Sequence, residues 1–447
     1  MYKAMLLLLT AAMTLAAGCG SSGNDGPPQV GTAQCSNDAQ KQFVLDVMRD
    51  VYFWNASLPA TVDLASFDSP EALLEHLKSF SPISPVTDLP VDTFSFINSA
   101  AEDAAFFGEG QFEGFGFSFR SDPAAADDIR FTRVFSGSPA ALAGFARGHR
   151  IMALDGRSIA EIEAAEGVGA VFDQSPLEFT IRPLVGNDFT VTVTKAVVTI
   201  DPLPQWRVID VAGGTSVGYI EFATFISTAD PAFDTIFAAF RQASVTDVIV
   251  DMRYNGGGLV STAELLGDYL GGAIADTFVF SRTFFNANNS ASNRTAFFSR
   301  LVNSMSLSRL VVIATRGTAS ASELVTNSME PYVEVAIVGD TTFGKPVGQV
   351  GIEFCEKILR PTAFQTVNAL DEGDYFDGLP VDCPAADVLA IPVGADSDPN
   401  VVGALSYLAT GACPIIAVSQ QQKLAVAEQA PAIGLRGSAS RQYGGVF

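Results

Sequence analysis

The sequence contains little histidine and little positive charge. Only two histidines, His76 and His149, occur in 447 residues, and 26 lysines and arginines are set against 49 aspartates and glutamates, for a net charge of −23. Nucleic-acid binding depends on Lys and Arg that neutralise phosphates, so this composition argues against a nucleic-acid partner. It also disfavours a broad electrostatic attachment to anionic lipid. No Cys/His spacing typical of a metal site occurs either, and we expect neither a metal nor a cofactor.

The shortage of histidine also bears on catalysis. Both histidines lie far upstream of the serine-containing segment 317–323 and of the turn 342–345, which carries Lys345. A serine nucleophile in this segment is therefore better placed for activation by a lysine than by an imidazole. The leading hypothesis is a Ser–Lys hydrolase.

The N-terminus has the pattern of an export signal. Lys3 precedes an apolar run over 4–17, which is too short for a stable membrane span. The stretch 15–19 resembles a bacterial lipobox, with Ala16 where leucine is usual, and this resemblance implies lipidation of Cys19. An ordinary cleaved signal with a chance cysteine is the alternative.

These features also predict a location. We expect a signal peptide over 1–18 and a flexible tether, rich in Gly, Ser and Pro, over 19–38. The mature chain would then belong to the cell envelope, anchored at the outer membrane and facing the periplasm or the cell surface.

Four cysteines remain once Cys19 is set aside, in a compartment that permits disulfides. Cys35, Cys355, Cys383 and Cys413 allow three pairings, and the sequence does not choose among them. We favour Cys355 with Cys383, because these two flank one segment of the last domain.

Hydrophobic spacing divides the chain into three folded regions. Residues 39–104 carry apolar side chains at helical spacing and predict a small helical domain. Residues 105–200 show short alternating runs punctuated by glycine, which predict a β-rich domain. Residues 201–418 alternate strand and helix patterns, typical of a layered α/β core, and 419–447 reads as a partly extended or disordered tail. The predicted fold class is multi-domain α/β.

Within these regions the periodicity predicts individual elements. Strands are expected at 131–135, 151–154, 177–182, 189–194, 217–220, 248–251, 310–314 and 335–338. Helices are expected at 70–80, 138–144, 231–243, 262–270 and from 321 onward.

A glycine loop follows the predicted strand 248–251. Gly256, Gly257 and Gly258 can present backbone N–H groups without side-chain obstruction, as an oxyanion hole or a phosphate cradle requires. The loop is not a P-loop, because no Gly-Lys-Ser/Thr follows. A tight structural turn is the alternative.

Ser320 stands where a predicted strand leads into a helix. A nucleophile at a helix N-terminus gains from the positive end of the helix dipole as negative charge develops. The alternative is that Ser320 or its neighbour Ser322 simply caps the helix.

Lys345 lies among apolar residues and glycines. A general-base lysine must be neutral near pH 7, which requires burial without a partner carboxylate. Gln349 follows closely and can orient the amine without adding charge. Taken by itself, Lys345 could equally be a surface lysine on a hairpin.

Together the three motifs resemble those of the C-terminal processing (tail-specific) protease family of serine peptidases, family S41. The resemblance rests on 251–259, 317–323 and 339–345, and it extends over roughly residues 105–410. It implies a protease core of the crotonase- or ClpP-like α/β type.

The same resemblance implies catalytic roles for individual residues. The nucleophile would be Ser320, the general base Lys345 and the glutamine that supports the lysine Gln349. The backbone N–H groups of Gly257 and Ala321 would form the oxyanion hole.

The sequence departs from the family's usual motifs at three positions. Pro346 replaces the glycine that usually follows the lysine, and Tyr254 and Gly256 replace the common asparagine and proline. None of these changes removes a reacting group.

The β-rich region upstream is similar to a PDZ domain. The similarity rests on 113–117, 138–144 and 148–156, with His149 where an aspartate is usual. It implies a module that captures a chain terminus by strand addition, with loop N–H groups holding the carboxylate. A purely structural or regulatory role is the alternative. The loop residues would be Gly114, Phe115, Gly116 and Phe117.

We therefore predict an exported, lipid-anchored serine endopeptidase that engages polypeptides near their C-termini and cleaves them through an acyl-enzyme. Its partners would be polypeptide tails and, through the lipid anchor, a membrane; no oligomeric state is predicted. The main alternative is a non-catalytic protein that binds peptides or hydrophobic ligands on the same scaffold. An acyl-CoA enzyme of related core fold is disfavoured by the PDZ-like module and the export signal.

Overall fold

The computed structural model describes residues 35–122, 125–211 and 215–413 of the chain. The predicted signal peptide, the predicted lipidation site Cys19, nearly all of the predicted tether and the predicted tail lie outside these residues. Among the helices of the described ranges, none combines the length and the apolar composition needed to cross a membrane.

The α-helices are mostly short, and serines at positions 36, 69 and 138 cap three of them by accepting a backbone N–H bond. The helices are α1 (Asn37–Asp50), α2 (Pro70–Lys78), α3 (Ala100–Ala104), α4 (Pro139–Leu142), α5 (Ile159–Ala165), α6 (Val168–Phe172), α7 (Asp230–Gln242), α8 (Val260–Gly271), α9 (Ala321–Met329) and α10 (Pro399–Thr410).

The strands of the N-terminal half belong mainly to a small β-rich domain. They are β1 (Phe96–Ser99), β2 (Gln111–Gly114), β3 (Phe117–Asp122), β4 (Ala125–Val134), β5 (Arg150–Leu154), β6 (Arg157–Ser158), β7 (Leu177–Arg182), β8 (Phe189–Val193) and β9 (Ala196–Thr199).

The strands of the C-terminal half build the α/β core. They are β10 (Gln205–Val211), β11 (Thr215–Glu221), β12 (Asp247–Asp251), β13 (Val279–Phe285), β14 (Arg294–Phe297), β15 (Arg309–Ala314), β16 (Glu334–Gly339), β17 (Val347–Gln349), β18 (Ile352–Phe354), β19 (Lys357–Arg360), β20 (Thr362–Val367) and β21 (Cys383–Pro384).

The centre of the core is a six-stranded sheet in the order β10-β11-β12-β15-β16-β21. Five of these strands are parallel, and β10 is antiparallel to β11. Helices α7, α8 and α9 cover one face and α10 covers the other. Because both faces are covered, the strands read as continuous apolar runs, such as Leu310–Ala314, in which every residue is buried.

A second, four-stranded sheet in the order β14-β13-β20-β17 flanks this centre. The N-terminal region contacts the α/β core through one strand and two helices. Its strand β1 pairs with β19 of the core, and α1 and α2 pack on Phe354 and Leu359. The hairpin β18–β19 is too small to bury its own apolar side chains, and the N-terminal helices cover them.

The small domain has a sheet in the order β3-β4-β5-β7-β8, with β6 paired to β5. Helices α4, α5 and α6 and a set of buried phenylalanines fill its core. Arg147 links this domain to the α/β core, because its guanidinium donates to Ile391 O (3.2 Å) and to the Asp387 carboxylate.

The predicted disulfide between Cys355 and Cys383 is wrong. Cys35 bonds to Cys355 (Cα–Cα 5.9 Å) and Cys383 to Cys413 (Cα–Cα 5.2 Å). Cys355 lies at the turn of the hairpin β18–β19, which stacks on α1 through Phe354 and so meets Cys35. Cys383 lies instead on the edge strand of the central sheet, beside the end of α10.

Multi-domain α/β architecture is confirmed. The strand predicted at 177–182 coincides with β7, and the strands predicted at 248–251 and 310–314 fall within one residue of β12 and β15. The helix expected from residue 321 is α9.

Candidate active site

The glycine loop lies where the central strand β12 ends. Gly257 (φ +101°) and Gly258 (φ +139°) have backbone conformations that L side chains rarely adopt. Space is equally restrictive: a Cβ on Gly257 would lie 2.7 Å from Ser320 Cβ and 2.8 Å from Ala321 N. The loop therefore needs glycine here in order to approach the candidate nucleophile.

Ser320 lies between β15 and α9 in a strained conformation, with φ +56° and ψ −114°. Strain of this kind at a strand-to-helix turn is found where a nucleophile is held exposed. The flanking residues anchor the turn: Ala319 N–H donates to Asn255 O (3.0 Å), and the Thr318 hydroxyl donates to Met252 O (2.7 Å). Ser320 itself is partly exposed.

Ser322 has a different environment from Ser320. It is fully buried, and its hydroxyl donates to Asn255 O at 3.0 Å. Ser322 is therefore a structural link between α9 and the glycine loop, which leaves Ser320 as the serine that a substrate could reach.

The predicted oxyanion donors lie next to Ser320. Ala321 is the first residue of α9, where helix N–H groups lack an intrahelical acceptor. Gly257 N–H donates to Asn255 Oδ1 at 2.9 Å within its own loop. Gly257 N–H can therefore act as an oxyanion donor only if it shares or gives up its bond to Asn255.

Glu323 connects the serine turn to the lysine turn. Its carboxylate is fully buried and accepts N–H bonds from Ser320 (2.8 Å) on one side and from Lys345 (2.9 Å) and Gly344 (2.7 Å) on the other. The Thr342 hydroxyl adds a fourth bond at 2.5 Å. Burial raises the pKa of Glu323, and the four donors oppose this effect.

Lys345 is 2% exposed, and its amine donates to Gln349 Oε1 at 2.9 Å. Burial lowers the pKa of the amine to about 8, although the nearby carboxylates of Asp92 and Glu323 act in the opposite direction. Phe94 places its ring centroid 5.2 Å from the Lys345 Nζ. The amine therefore loses its proton near pH 8, well below the range of an exposed lysine.

Gln349 is itself fixed in orientation. Its Nε2 donates to Phe94 O (2.7 Å) and to Arg360 O (3.1 Å), so its Oε1 must face Lys345. A glutamine held in this way directs the amine without adding the charge that would raise its pKa.

Tyr254, which precedes the glycine loop, lies at the contact with the small domain. Its hydroxyl donates to Asp387, which also accepts from Arg253 (3.1 Å) and from Arg147. Burial raises the pKa of Asp387, but the surrounding arginines outweigh it and lower this pKa to about 2. Asp387 is thus an ionised, fully buried centre between the two domains.

The loop predicted to hold a peptide carboxylate lies in the small domain, apart from the serine and lysine turns. Phe115 and Phe117 point into the domain core and are 0% and 1% exposed, so only backbone atoms of this loop can face a ligand. Gly116 has φ +87°, and a Cβ there would lie 2.1 Å from Ser138 Cβ. Ala140 N–H and the Ser138 hydroxyl donate to carbonyls of the loop.

Three further residues of the site were not singled out from the sequence: Glu323, Asp92 and Phe94. Glu323 has a recognisable signal, because Ser-x-x-Glu at a helix start is the capping-box pattern. Asp92 and Phe94 come from the N-terminal region, and no local pattern links them to Lys345. Within the described ranges, no group of His, Cys, Asp and Glu could hold a metal ion.

Comparison with known proteins finds a family that this chain resembles. Residues 216–372 match the model of peptidase family S41, and residues 39–96 match the S41 N-terminal domain. The fold also resembles a crystal structure from Bacteroides fragilis NCTC 9343 assigned to the S41 proteases, with TM-score 0.62, 21% identity and coverage of 83% of this chain and 97% of that one.

The chain thus carries two regions typical of peptidase family S41, and it is similar to C-terminal processing proteases. It is 26% identical over 266 residues to the chloroplastic C-terminal processing peptidase of Tetradesmus obliquus, covering 55% of this chain and 54% of that protein. It is 26% identical over 243 residues to the carboxyl-terminal-processing protease of Picosynechococcus sp., covering 53% and 55%. The chain spans about half the length of these relatives.

Proposed function

We propose that this protein is a serine endopeptidase that uses Ser320 and Lys345 as a catalytic dyad. The observation that carries the proposal is the environment of Lys345: a buried amine with a pKa of about 8, bonded to an amide rather than a carboxylate, on a turn that Glu323 ties to the serine turn. The similarity to family S41 supports the same conclusion.

The reaction would follow from these positions. Neutral Lys345 takes the proton from the Ser320 hydroxyl as the oxygen attacks the peptide carbonyl. Ala321 N–H, with Gly257 N–H once it turns from Asn255, stabilises the negative charge on the carbonyl oxygen. The protonated lysine then donates to the leaving amine, which leaves an acyl-enzyme, and it later assists the water that hydrolyses the ester.

Proteolysis of an unfolded polypeptide with a defined C-terminus tests the dyad. We expect the wild type to cleave it and Ser320→Ala and Lys345→Ala to be inactive. Ser322→Ala is the matched control and should retain activity if it folds, because its hydroxyl faces Asn255. Equal cleavage by all variants would contradict the dyad, whereas absence of cleavage by the wild type would favour a non-catalytic binding protein.

We also propose that the loop 114–117 engages the substrate's C-terminal carboxylate through backbone N–H groups, as PDZ domains do. The matched substrates are one polypeptide with a free C-terminal carboxylate and the same polypeptide amidated. The free acid should have the lower KM at similar kcat. Equal KM values would leave this domain with a structural role.

Export and lipid anchoring at Cys19 complete the proposal. Cells fed a labelled fatty acid should label the wild type and not Cys19→Ala. Label on neither protein would favour an ordinary cleaved signal.

A further inference from the structure

A short loop beside the site exposes three large aliphatic side chains. Ile83, Val86 and Leu89 are 53%, 71% and 54% exposed, although side chains of this kind are usually buried. We call residues 82–91 the apolar loop. Asp88 is the one charged residue in it, whereas the whole chain has a net charge of −23.

The apolar loop has an ordered internal structure. Ser84 is buried at its centre: its N–H donates to Leu89 O (2.9 Å), and its carbonyl accepts from Asp88 N–H (3.0 Å). The Ser84 hydroxyl accepts N–H bonds from Val86 and Thr87, both at 3.2 Å. Prolines at positions 82, 85 and 90 further restrict the backbone. The aliphatic side chains are thus presented by a preorganised loop, which lowers the entropic cost of binding.

The end of the apolar loop leads directly to the candidate base. Asp92, just beyond the loop, accepts N–H bonds from Phe94 (3.0 Å) and Ser95 (2.9 Å). These bonds hold the Phe94 ring against the Lys345 amine and 5.9 Å from the ring of Phe343. Phe343 is two residues before Lys345 in the chain.

The middle of the apolar loop contacts a second segment of the site. Ser84 Oγ lies 3.4 Å from Asp377 Oδ1, and Asp377 O accepts from Arg316 Nη1 at 3.1 Å. Arg316 belongs to the turn that carries Ser320. The adjacent Phe376 packs closely on the lysine turn, because a Cβ on Gly344 would lie 2.3 Å from Phe376 O.

We propose that the apolar loop is a substrate-binding surface that takes an apolar side chain of the polypeptide near the bond to be cleaved. The inference rests on the proposed peptidase function and adds a specificity-determining element to it. The occupant is an extended polypeptide segment with aliphatic or aromatic residues. The connections of the apolar loop to the lysine turn, through Phe94 at its end and through Asp377 beside Phe376 at its middle, favour this occupant over a separate partner. The near absence of charge excludes recognition by ion pairs.

Binding to a catalytically dead protein tests the surface independently of cleavage. In the full-length Ser320→Ala background, fluorescence anisotropy measures the Kd of two labelled peptides, one with a Leu/Val/Phe segment and one with serines in its place. The loop variant is Ile83→Ser/Val86→Ser/Leu89→Ser. The control, Val185→Ser/Val302→Ser/Leu370→Ser, changes aliphatic residues that are 91%, 83% and 65% exposed outside the apolar loop.

The parent and the control should bind the apolar peptide with equal affinity, and the loop variant roughly ten- to a hundredfold more weakly. All three should bind the serine peptide weakly and alike. Equal affinity of the parent and the loop variant for the apolar peptide would overturn the proposal. A change of oligomeric state in the loop variant alone, measured by light scattering, would also overturn it and make a second copy of the chain the occupant.

Thermal unfolding of each variant, with the single change Val86→Ser as a milder version, separates loss of binding from loss of fold. The single variant should show a smaller loss of affinity at unchanged Tm. Failure of the wild type to cleave any polypeptide would remove the peptidase function, whereas failure of this binding test would remove only the role of the apolar loop.

Discussion

The carboxylate of Glu323 accepts the backbone N–H of Lys345 at 2.9 Å and so fixes the turn that carries the candidate base. The same carboxylate accepts the N–H of Ser320 at 2.8 Å. One buried side chain therefore sets the spacing between the turns of the candidate nucleophile and the candidate base. Positioning of this kind decides whether two groups can react, because a misplacement of about 1 Å can cost about a hundredfold in rate.

Replacing Glu323 should disturb both stability and catalysis. Glu323→Ala leaves several buried donors without an acceptor, each of which costs about 1–3 kcal/mol, so we expect the free energy of unfolding to fall by about 3 kcal/mol or more. Urea unfolding and kcat on the same preparation measure the two effects. Glu353→Gln, at an exposed position of β18, is the control. An unchanged kcat in a folded Glu323→Ala protein would contradict the positioning role.

The pH dependence of activity should follow the ionisation of the Lys345 amine. Because the base must be neutral and its pKa is about 8, kcat/KM should rise about tenfold per pH unit below that value and level off above it. A profile that is flat from pH 6 to 9 with chemistry rate-limiting would show that this amine is not the base.

The free energy of unfolding should also depend on pH through Lys345, and the direction of this dependence follows from its pKa. The pKa of Lys345 falls from 10.5 to about 8 on folding, so the unfolded chain binds more protons between these values and stability rises across this window. Below pH 8 the buried amine therefore costs about 3 kcal/mol. Lys345→Met should unfold at a higher urea concentration at pH 7, and its advantage should shrink towards pH 10.5. An equal advantage at both pH values would contradict the assigned pKa.

Gln349 should tune the base through its lack of charge. Gln349→Glu places a carboxylate where the amine now meets an amide (2.9 Å), which favours the protonated lysine. The midpoint of the pH–rate profile should move upward by about one unit or more, with lower activity at pH 7. Gln242→Glu, at an exposed position of α7, should leave the profile in place.

The contact between the domains should depend on Arg147. Arg147→Met removes one of the positive charges that stabilise the buried carboxylate of Asp387. We therefore expect the free energy of unfolding to fall by about 3 kcal/mol. Because the pKa of Asp387 is lowered from 3.8 to about 2, its favourable contribution is present above pH 3.8 and lost as the pH falls towards 2. Arg182→Met, which breaks an exposed ion pair with Asp188 in the same domain, should leave the unfolding midpoint nearly unchanged.

The disulfides can be assigned chemically. Non-reducing digestion and mass spectrometry should recover cross-linked peptides that join Cys35 to Cys355 and Cys383 to Cys413. The first bridge closes a loop of 320 residues, so its removal by Cys35→Ser/Cys355→Ser should destabilise the protein by about 2–5 kcal/mol. Recovery of a Cys355–Cys383 peptide would contradict the pairing described above.

Much of the architecture could be predicted from the sequence, because strands and helices depend on patterns of residues that are close together in the chain. The strands ending at Asp251 and Ala314, and the helix that starts at Ala321, follow from apolar runs and turn residues. The motifs around Ser320 and Lys345 are equally local, and the resemblance to family S41 that they indicate is confirmed. Their assignment to the nucleophile and base remains a prediction.

Contacts between residues that are far apart in the chain could not be predicted from the sequence. The pairing of β1 with β19 and the approach of Phe94 to Lys345 join segments more than 200 residues apart, and no periodicity encodes such partners. The same limit explains the incorrect cysteine pairing, in which proximity along the chain was the guide. Cys35 meets Cys355 only because α1 covers the hairpin β18–β19.

The most direct test of the dyad is covalent labelling of the serine. A fluorophosphonate that reacts only with activated serines is added to the wild type, Lys345→Ala and Ser320→Ala, and intact mass and peptide mapping locate the adduct. We predict one adduct on Ser320 in the wild type, formed faster as the pH rises through about 8, and none in either variant at neutral pH. Equal labelling of Lys345→Ala, or an adduct on Ser322 instead of Ser320, would contradict the Ser320–Lys345 dyad.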